Sequence, residues 1–310
     1  MTGDLDFTGR VVVVTGAGRG VGRAHALAFA GRGAAVVVND LGGSSDGEDD
    51  APREDVAGQV AAQIREQGGQ AVADRGDVSD PDAAAAVVAR AIEEFGRVDV
   101  VVNNAGIDRI VKLGEVTPAL LQQFFAVHVL GTFQVTAAAW PHLVGQRFGR
   151  VITTTSSAGY FGLARAMPYA TAKGALHGMT QSLSAEGMRY GVTVNAVAPF
   201  AGSRLAAGRL QGVPSLLQAI ERAAPPSAVS PVVLWLAHET TRVTGAAFEV
   251  GGGAVSRLFV GAAHGIEVDA LTPEYLRDHA AEVLGMEPFD VPDSGGADRA
   301  ISRRVQSIGG

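Results

Sequence analysis

Short apolar runs separated by Ala-rich amphipathic stretches set the pattern of this chain. Residues 11–14, 35–38, 70–73, 98–102, 150–154 and 192–197 form brief runs rich in β-branched residues. Runs with little polar alternation predict strands covered on both faces, as in a parallel sheet. Between them, 3.6-residue periodicity predicts helices at about 20–32, 52–67, 81–95, 118–145 and 167–190. Ser79-Asp80-Pro81 and Thr117-Pro118 mark two helix starts, each placing a capping side chain before a Pro at the first helical position. A further helix at about 228–238 leads to a candidate seventh strand at 246–250. After Gly251-Gly252-Gly253 the pattern weakens. Thr272-Pro273-Glu274 starts one short helix to about Leu284, and 286–310 reads as an arm or mobile tail. The acidic insertion at 46–55 is expected to be a solvated loop.

Strand–helix alternation at this spacing predicts an α/β fold, a doubly wound (Rossmann) parallel sheet of about seven strands. The 310 residues fit a single domain, 1–255, with a C-terminal extension, 256–310. Apolar residues make up 47%, aromatics only 6%, and Gly numbers 41, which suits close packing of helices on a sheet. The net charge of −7, with no basic stripe, argues against nucleic acid and anionic membranes as partners. The absence of cysteine excludes disulfides, thiol catalysis and thiolate metal sites, and no metal is expected. The N-terminal residues lack the charged and apolar regions of a signal peptide, and no apolar stretch approaches the ~18 residues of a membrane span. The tail ends Ser-Ile-Gly-Gly, without a peroxisomal address, so the expected location is cytoplasmic.

Chemistry enters with a lysine. The chain has only two, Lys112 and Lys173, and Lys173 lies four residues after Tyr169. On a helix that spacing places phenol and ammonium on one face. A nearby fixed cation favours the phenolate and makes Tyr a usable acid or base near neutral pH. Ser156, 13 residues upstream, ends the run 151–156 and offers a hydroxyl to a carbonyl or alcohol oxygen. Alone, a Tyr-x-x-x-Lys string is common by chance.

The first strand runs into Thr15-Gly16-Ala17-Gly18-Arg19-Gly20-Val21-Gly22. Between a strand and a helix, such glycines let the backbone approach a pyrophosphate, which the helix N-terminus then binds. The second strand ends at Asn39-Asp40, where an acid accepts hydrogen bonds from an adenosine ribose diol and repels a 2′-phosphate. Asp40 therefore favours NAD, whereas Arg19, in the glycine turn, argues for NADP; Asp40 carries more weight because it lies at the ribose.

Together with Asp77 in Gly76-Asp77-Val78, Asn103-Asn104-Ala105-Gly106 and Val194-Asn195-Ala196-Val197-Ala198-Pro199, these motifs resemble the short-chain dehydrogenase/reductase family over about residues 8–255. The resemblance implies adenine contacts from Asp77 and Val78, cofactor packing by Asn104, Ala105, Gly106 and Pro199, and catalysis by Ser156, Tyr169 and Lys173. Segments 37–43, 127–136, 198–204, 232–239 and 248–251 look like the dehydrogenase part of peroxisomal multifunctional (D-bifunctional) enzymes and their bacterial relatives. That likeness implies NAD-dependent oxidation of a (3R)-3-hydroxyacyl-CoA, a CoA thioester substrate, and a homodimer or homotetramer.

Two positions depart from the wider family. His128 stands where most members have Asn, a residue thought to hold a relay water through its backbone carbonyl; a catalytic and a structural His128 both fit. Phe200 replaces the Gly that usually follows Pro199. Residues 200–226 fall where the family keeps its substrate loop, and Arg204, Arg209 and Arg222 are candidates to meet CoA phosphates, or else are solvated surface. Competing readings are a hydroxysteroid dehydrogenase, a polyketide-type ketoreductase using NADP, and a dinucleotide-sensing scaffold without catalysis.

Overall fold

The computed structural model describes residues 4–48, 55–202, 214–266, 268 and 270–292. The expectations for residues 52–54, for Arg204 and Arg209, and for the tail from 293 onward lie outside the described residues.

Contacts divide the chain into two compact units, 1–258 and 259–310. The first is built on an eight-stranded sheet of order β3-β2-β1-β4-β5-β6-β7-β8. The strands are β1 (Val11–Thr15), β2 (Ala35–Asn39), β3 (Gln70–Asp74), β4 (Val100–Asn103), β5 (Gly149–Thr154), β6 (Val192–Pro199), β7 (Ala247–Gly251) and β8 (Ala254–Leu258). Strands β1 to β7 pair in parallel. Because strand side chains alternate between faces, Val12 and Val14 of β1 pack with Phe29, Ile64 and Leu236 on one side. Val11 and Val13 pack with Val87, Ala91, Val135 and Leu143 on the other. Two buried faces explain why the central runs, 11–14, 35–38 and 100–102, are apolar at every position.

The helices are α1 (Gly20–Ala30), α2 (Val56–Glu66), α3 (Pro81–Phe95), α4 (Pro118–Phe125), α5 (Gly131–Gln146), α6 (Ser157–Phe161), α7 (Met167–Gly187), α8 (Pro214–Ala223) and α9 (Ser230–Ala237). Asp80 caps α3 by accepting from the Ala83 N–H, and Thr117 caps α4 through the Leu120 N–H. Strand order reverses between β1 and β4, the switch point at which ligands bind in open α/β sheets. The register there is Val14 beside both Val38 and Val102, which aligns the C-terminal ends of β1, β2 and β4 along one edge.

Within the first unit the sheet and its helices depart from the sequence pattern in four places. An eighth strand, β8, runs antiparallel to β7. Gly252 and Gly253, at φ of 57° and 80°, form the two-residue hairpin turn that joins them. Four of the five β8 residues are exposed, so no buried pattern marks the strand. The stretch expected as one helix at 118–145 is interrupted by a π-turn at Ala126–Leu130, with α4 before it and α5 after it. The loop expected at 200–226 contains α8, and a short helix, α6, follows Ser156.

In the second unit, α10 (Pro273–Asp278) and α11 (Ala280–Val283) divide the single helix expected to Leu284. Ala262–Ala263 pairs antiparallel with Phe289–Asp290. The rings of Phe259 and Phe289 stack with centroids 6.3 Å apart. Among the described residues, no helix is long and apolar enough to cross a membrane.

Candidate active site

A cavity of about 590 Å³ opens at the C-terminal ends of the strands. Its floor is the turn between β1 and α1. Gly16 there has φ of 61°, and a Cβ on it would lie 2.8 Å from Ala105 Cα. A Cβ on Gly22 would come within 2.2 Å of the Gly16 carbonyl oxygen. Glycine at both positions therefore lets the turn close on itself and bare its backbone. The Asn104 carboxamide locks the turn by donating to Thr15 O and Gly16 O, both at 3.0 Å. Thr15 Oγ1 in turn accepts from the N–H groups of Asn104 and Ala105, at 3.0 and 3.1 Å. The α1 N-terminus has no side-chain cap and no acid in its first turn. Its free N–H groups and positive dipole end suit a phosphate.

Asp40, just past β2, lines the cavity. Its carboxylate accepts from the N–H of Gly18 and of Gly42, both at 2.8 Å. Gly18 itself is not on the cavity wall; a Cβ there would lie 2.3 Å from Val56 Cγ2, so its part is to let the turn pack. Arg19, Gly20 and Val21 do line the cavity, as do Asp77, Val78 and Pro199. Asp77 shapes its own turn, accepting from the Ser79 N–H at 2.9 Å and hydroxyl at 2.7 Å. Asn39 ties β2 to this turn through Asp74 and the Gly76 carbonyl.

At the other end of the cavity lie Ser156, Tyr169, Lys173 and His128. Ser156 is the second residue past β5 and caps α6, its Oγ accepting from the Ala158 N–H at 3.2 Å. An oxygen that accepts there keeps its own proton to donate. Lys173 is buried on α7, and its Nζ donates to the Thr154 carbonyl at 2.5 Å, while Thr155 Oγ1 donates to the Lys173 carbonyl at 2.9 Å. Burial pushes the Lys173 ammonium down to about 7, with Asp108 nearby pulling the other way. Lys173 Nζ lies 5.7 Å from the centre of the Tyr169 ring.

His128, inside the π-turn, meets the Tyr169 ring edge-on at 5.6 Å and stacks on Phe124 at 5.9 Å. Its Nε2 lies 2.8 Å from Ile107 O and 3.2 Å from Ile107 N, so one tautomer donates and the other accepts. Its Nδ1 is buried without a partner. Desolvation, then the charge of Lys173, holds the imidazole neutral, well below the usual histidine range. A Cβ on Gly106 would lie 2.5 Å from the His128 ring, so only glycine fits over it.

Phe200, half exposed, and Ile220 of α8 also reach the cavity. Arg222 is exposed on α8. The first residues of the acidic insertion are held rather than loosely solvated: Gly47 lines the cavity and is bonded by Gln123, as is Ser45, just before the insertion, by Asp108, while residues 49–54 lie outside the described residues. Sequence reasoning missed that segment, the Asn104 lock and the Thr154 carbonyl. Of these, only Asn104 had a sequence signal, in the Asn103-Asn104-Ala105-Gly106 string. Among the described residues no group of three or more His, Cys, Asp or Glu is placed to hold a metal.

A doubly wound sheet, a bare glycine turn at its switch point and a Ser, Tyr and Lys trio beside it define a dinucleotide-binding protein of the dehydrogenase type. The chain belongs to the short chain dehydrogenase family, whose model matches residues 10–203. It is 39% identical over 288 residues to the peroxisomal multifunctional enzyme A of Dictyostelium discoideum, covering 93% of this chain and 62% of that protein. The chain thus spans less than two thirds of the multifunctional enzymes it matches. It is 35% identical over 260 residues to the hydroxyacyl-CoA dehydrogenase ChsB1 of Mycobacterium tuberculosis, covering 81% of this chain and 80% of that one. A crystal structure of a short chain dehydrogenase from Mycobacterium avium superposes with a TM-score of 0.75 at 39% identity, covering 90% and 96% of the two chains.

Proposed function

We propose that this protein is an NAD-dependent oxidoreductase acting on a (3R)-3-hydroxyacyl-CoA. The observation that carries the reading is the convergence of Ser156, Tyr169 and Lys173 on one end of a cavity whose other end is a glycine turn with an acid at its ribose corner. The fit to a dinucleotide rests on the cradle that a Cβ at Gly16 or Gly22 would fill and on the uncapped N-terminus of α1. NAD, when bound, supplies the hydride acceptor.

In oxidation Tyr169 takes the proton of the substrate hydroxyl, and in reduction it returns one to the carbonyl oxygen. Ser156 donates to that oxygen and fixes its position. Lys173, anchored on the Thr154 carbonyl, brings positive charge beside Tyr169 and favours its phenolate. His128 braces Tyr169 edge-on and stays neutral, adding no second cation. Asp40 would set a carboxylate against a 2′-phosphate; at ~4 Å and an effective dielectric near 20 that repulsion reaches about 4 kcal/mol, so NAD is favoured.

The hydroxyacyl-CoA assignment is supported by the likeness to ChsB1, named a hydroxyacyl-CoA dehydrogenase. The cytoplasm is taken as its location. A symmetric homodimer or homotetramer is supported by an exposed apolar pair where the π-turn runs into α5, Leu130 at 49% and Phe133 at 53% exposed.

Steady-state assays with NAD and NADP against (3R)-3-hydroxyacyl-CoAs of several chain lengths, steroid alcohols and simple secondary alcohols test the reading. We expect NAD to be preferred by at least about tenfold in kcat/KM, a difference of about 1.4 kcal/mol. The CoA thioester should outperform the matching free alcohol, by a margin that shrinks with salt as its phosphates are screened. A good steroid substrate with no hydroxyacyl-CoA turnover would leave only the dehydrogenase assignment standing.

A further inference from the structure

Segment 41–48 leaves the tip of β2 beside Asp40 and finishes against the opposite wall of the cavity. At its near end, the Gly42 N–H donates to Asp40 Oδ1 at 2.8 Å. At its far end, three groups from other elements hold it. The Asp108 N–H donates to Ser45 O at 2.9 Å. Gln123 of α4 donates through Nε2 to Gly47 O at 2.8 Å. Arg109 donates through Nη2 to Asp46 O at 3.2 Å and pairs with the Glu48 carboxylate at 2.9 Å.

The segment also has its own shape. Ser44 Oγ donates to Glu48 O at 2.6 Å, and the Glu48 N–H donates to Asp46 Oδ1 at 3.1 Å. Gly47 sits at φ of 78°, and a Cβ there would lie 2.8 Å from Gln123 Nε2 and 3.1 Å from Ile107 Cδ1. Leu41, Gly43, Ser44, Ser45 and Gly47 line the cavity from this side, while Asp108 and Gln123, which hold the segment, line it from the other. The segment is therefore a bridge from wall to wall over the nucleotide end.

We propose that segment 41–48 is a strap over the bound dinucleotide, and that Arg109 and Gln123 are positioning residues that latch it. The inference rests on the reading of this cavity as a dinucleotide site. All but one of the latch contacts are made to main-chain atoms of the strap. They consist of a few hydrogen bonds and one partly exposed ion pair, each worth on the order of 1 kcal/mol or less. A latch of that strength can open locally at far less cost than unfolding the domain. It sets how fast oxidised and reduced cofactor exchange without touching the hydroxyl chemistry at Tyr169. Opening of such covers limits turnover in many enzymes.

The test is stopped-flow displacement of NADH from the wild-type protein and from the Arg109→Ala, Gln123→Ala and Glu48→Gln variants, with thermal melts to confirm folding. A primary isotope effect on single-turnover hydride transfer is measured for Arg109→Ala alongside. Expected are NADH off-rates raised by about tenfold in Arg109→Ala and Gln123→Ala, as for a loosened cover, with the isotope-sensitive rate of Arg109→Ala unchanged. Glu48→Gln, altered at the solvent-facing end of the latch, should show a smaller rise, and Arg109→Lys should recover part of the loss. Off-rates within twofold of wild type in the folded variants would overturn the strap alone. Should Arg109→Ala fail to fold, Gln123→Ala and Glu48→Gln decide the matter. No binding of NADH to the wild-type protein would overturn the cofactor reading, and the strap with it.

Discussion

Lys173 carries its charge where charge is costly, and the consequences are measurable. With its ammonium at about 7 in the fold and near the ordinary ~10.4 in the unfolded chain, the unfolded state binds the extra proton between those values. Stability of the unliganded protein should therefore rise with pH from about 7 toward 10, and Lys173→Met should flatten that rise in denaturant titrations. His128, held neutral well below the usual range, and His25, pushed by burial to about 3, act at the acid end. Below about pH 6.5 the unfolded chain protonates both while the fold does not, so stability is lost as pH falls. His128→Asn should lose less stability than wild type between pH 7 and 5. Tyr169→Phe should retain NADH binding and lose on the order of a hundredfold or more in kcat, the range for a missing general acid–base. Near-normal turnover in that variant would assign the proton to another group.

Among the elements, the pairing of α6 with α7 decides where Ser156 stands relative to Tyr169. The two backbones meet at Gly159, where a Cβ would lie 2.7 Å from Gly174 N and from Lys173 C. Tyr160 and His177 bond across the same contact at 2.9 Å. Gly159→Ala should force the helices apart and lower kcat by roughly tenfold to a hundredfold, since small misplacements at a reacting centre cost that much. The NADH dissociation constant should change far less; equal losses in both would mean general damage. The same elements show what a sequence pattern can carry. The central runs at 11–14, 35–38 and 98–102 are legible as strands because burial on both faces leaves an apolar signature, whereas 70–73, on the edge strand β3, carries a weaker one. Strand β8 is not legible, since four of its five residues face solvent and only its Gly252-Gly253 turn marks it. The π-turn at His128 was hidden because it lies in an uninterrupted helical pattern, with no Gly or Pro among its five residues. The strap escaped notice because acidic residues and glycines read as solvated, while its hold comes from Arg109 and Gln123, more than 60 residues away.

For the whole molecule, the cavity lies where strand order reverses, which is why the glycine turn, Asn104 and Ser156 meet though far apart in the chain. Motifs at strand ends were readable because their spacing follows the sheet; the substrate end was less so, because its wall comes from α8 and the strand–helix connections. The exposed pair Leu130 and Phe133 yields a further expectation: Phe133→Glu should shift light-scattering mass toward the monomer with little loss of secondary structure. The chain's shortage of lysine has a practical consequence as well. Lys112 is exposed and Lys173 lines the cavity, and at neutral pH an amine near 7 is about half free base and hence a ready nucleophile. Carbamoylation by cyanate would then act as an active-site label on a 310-residue protein, read as a mass increment on the peptide bearing Lys173 and suppressed by prior addition of NADH.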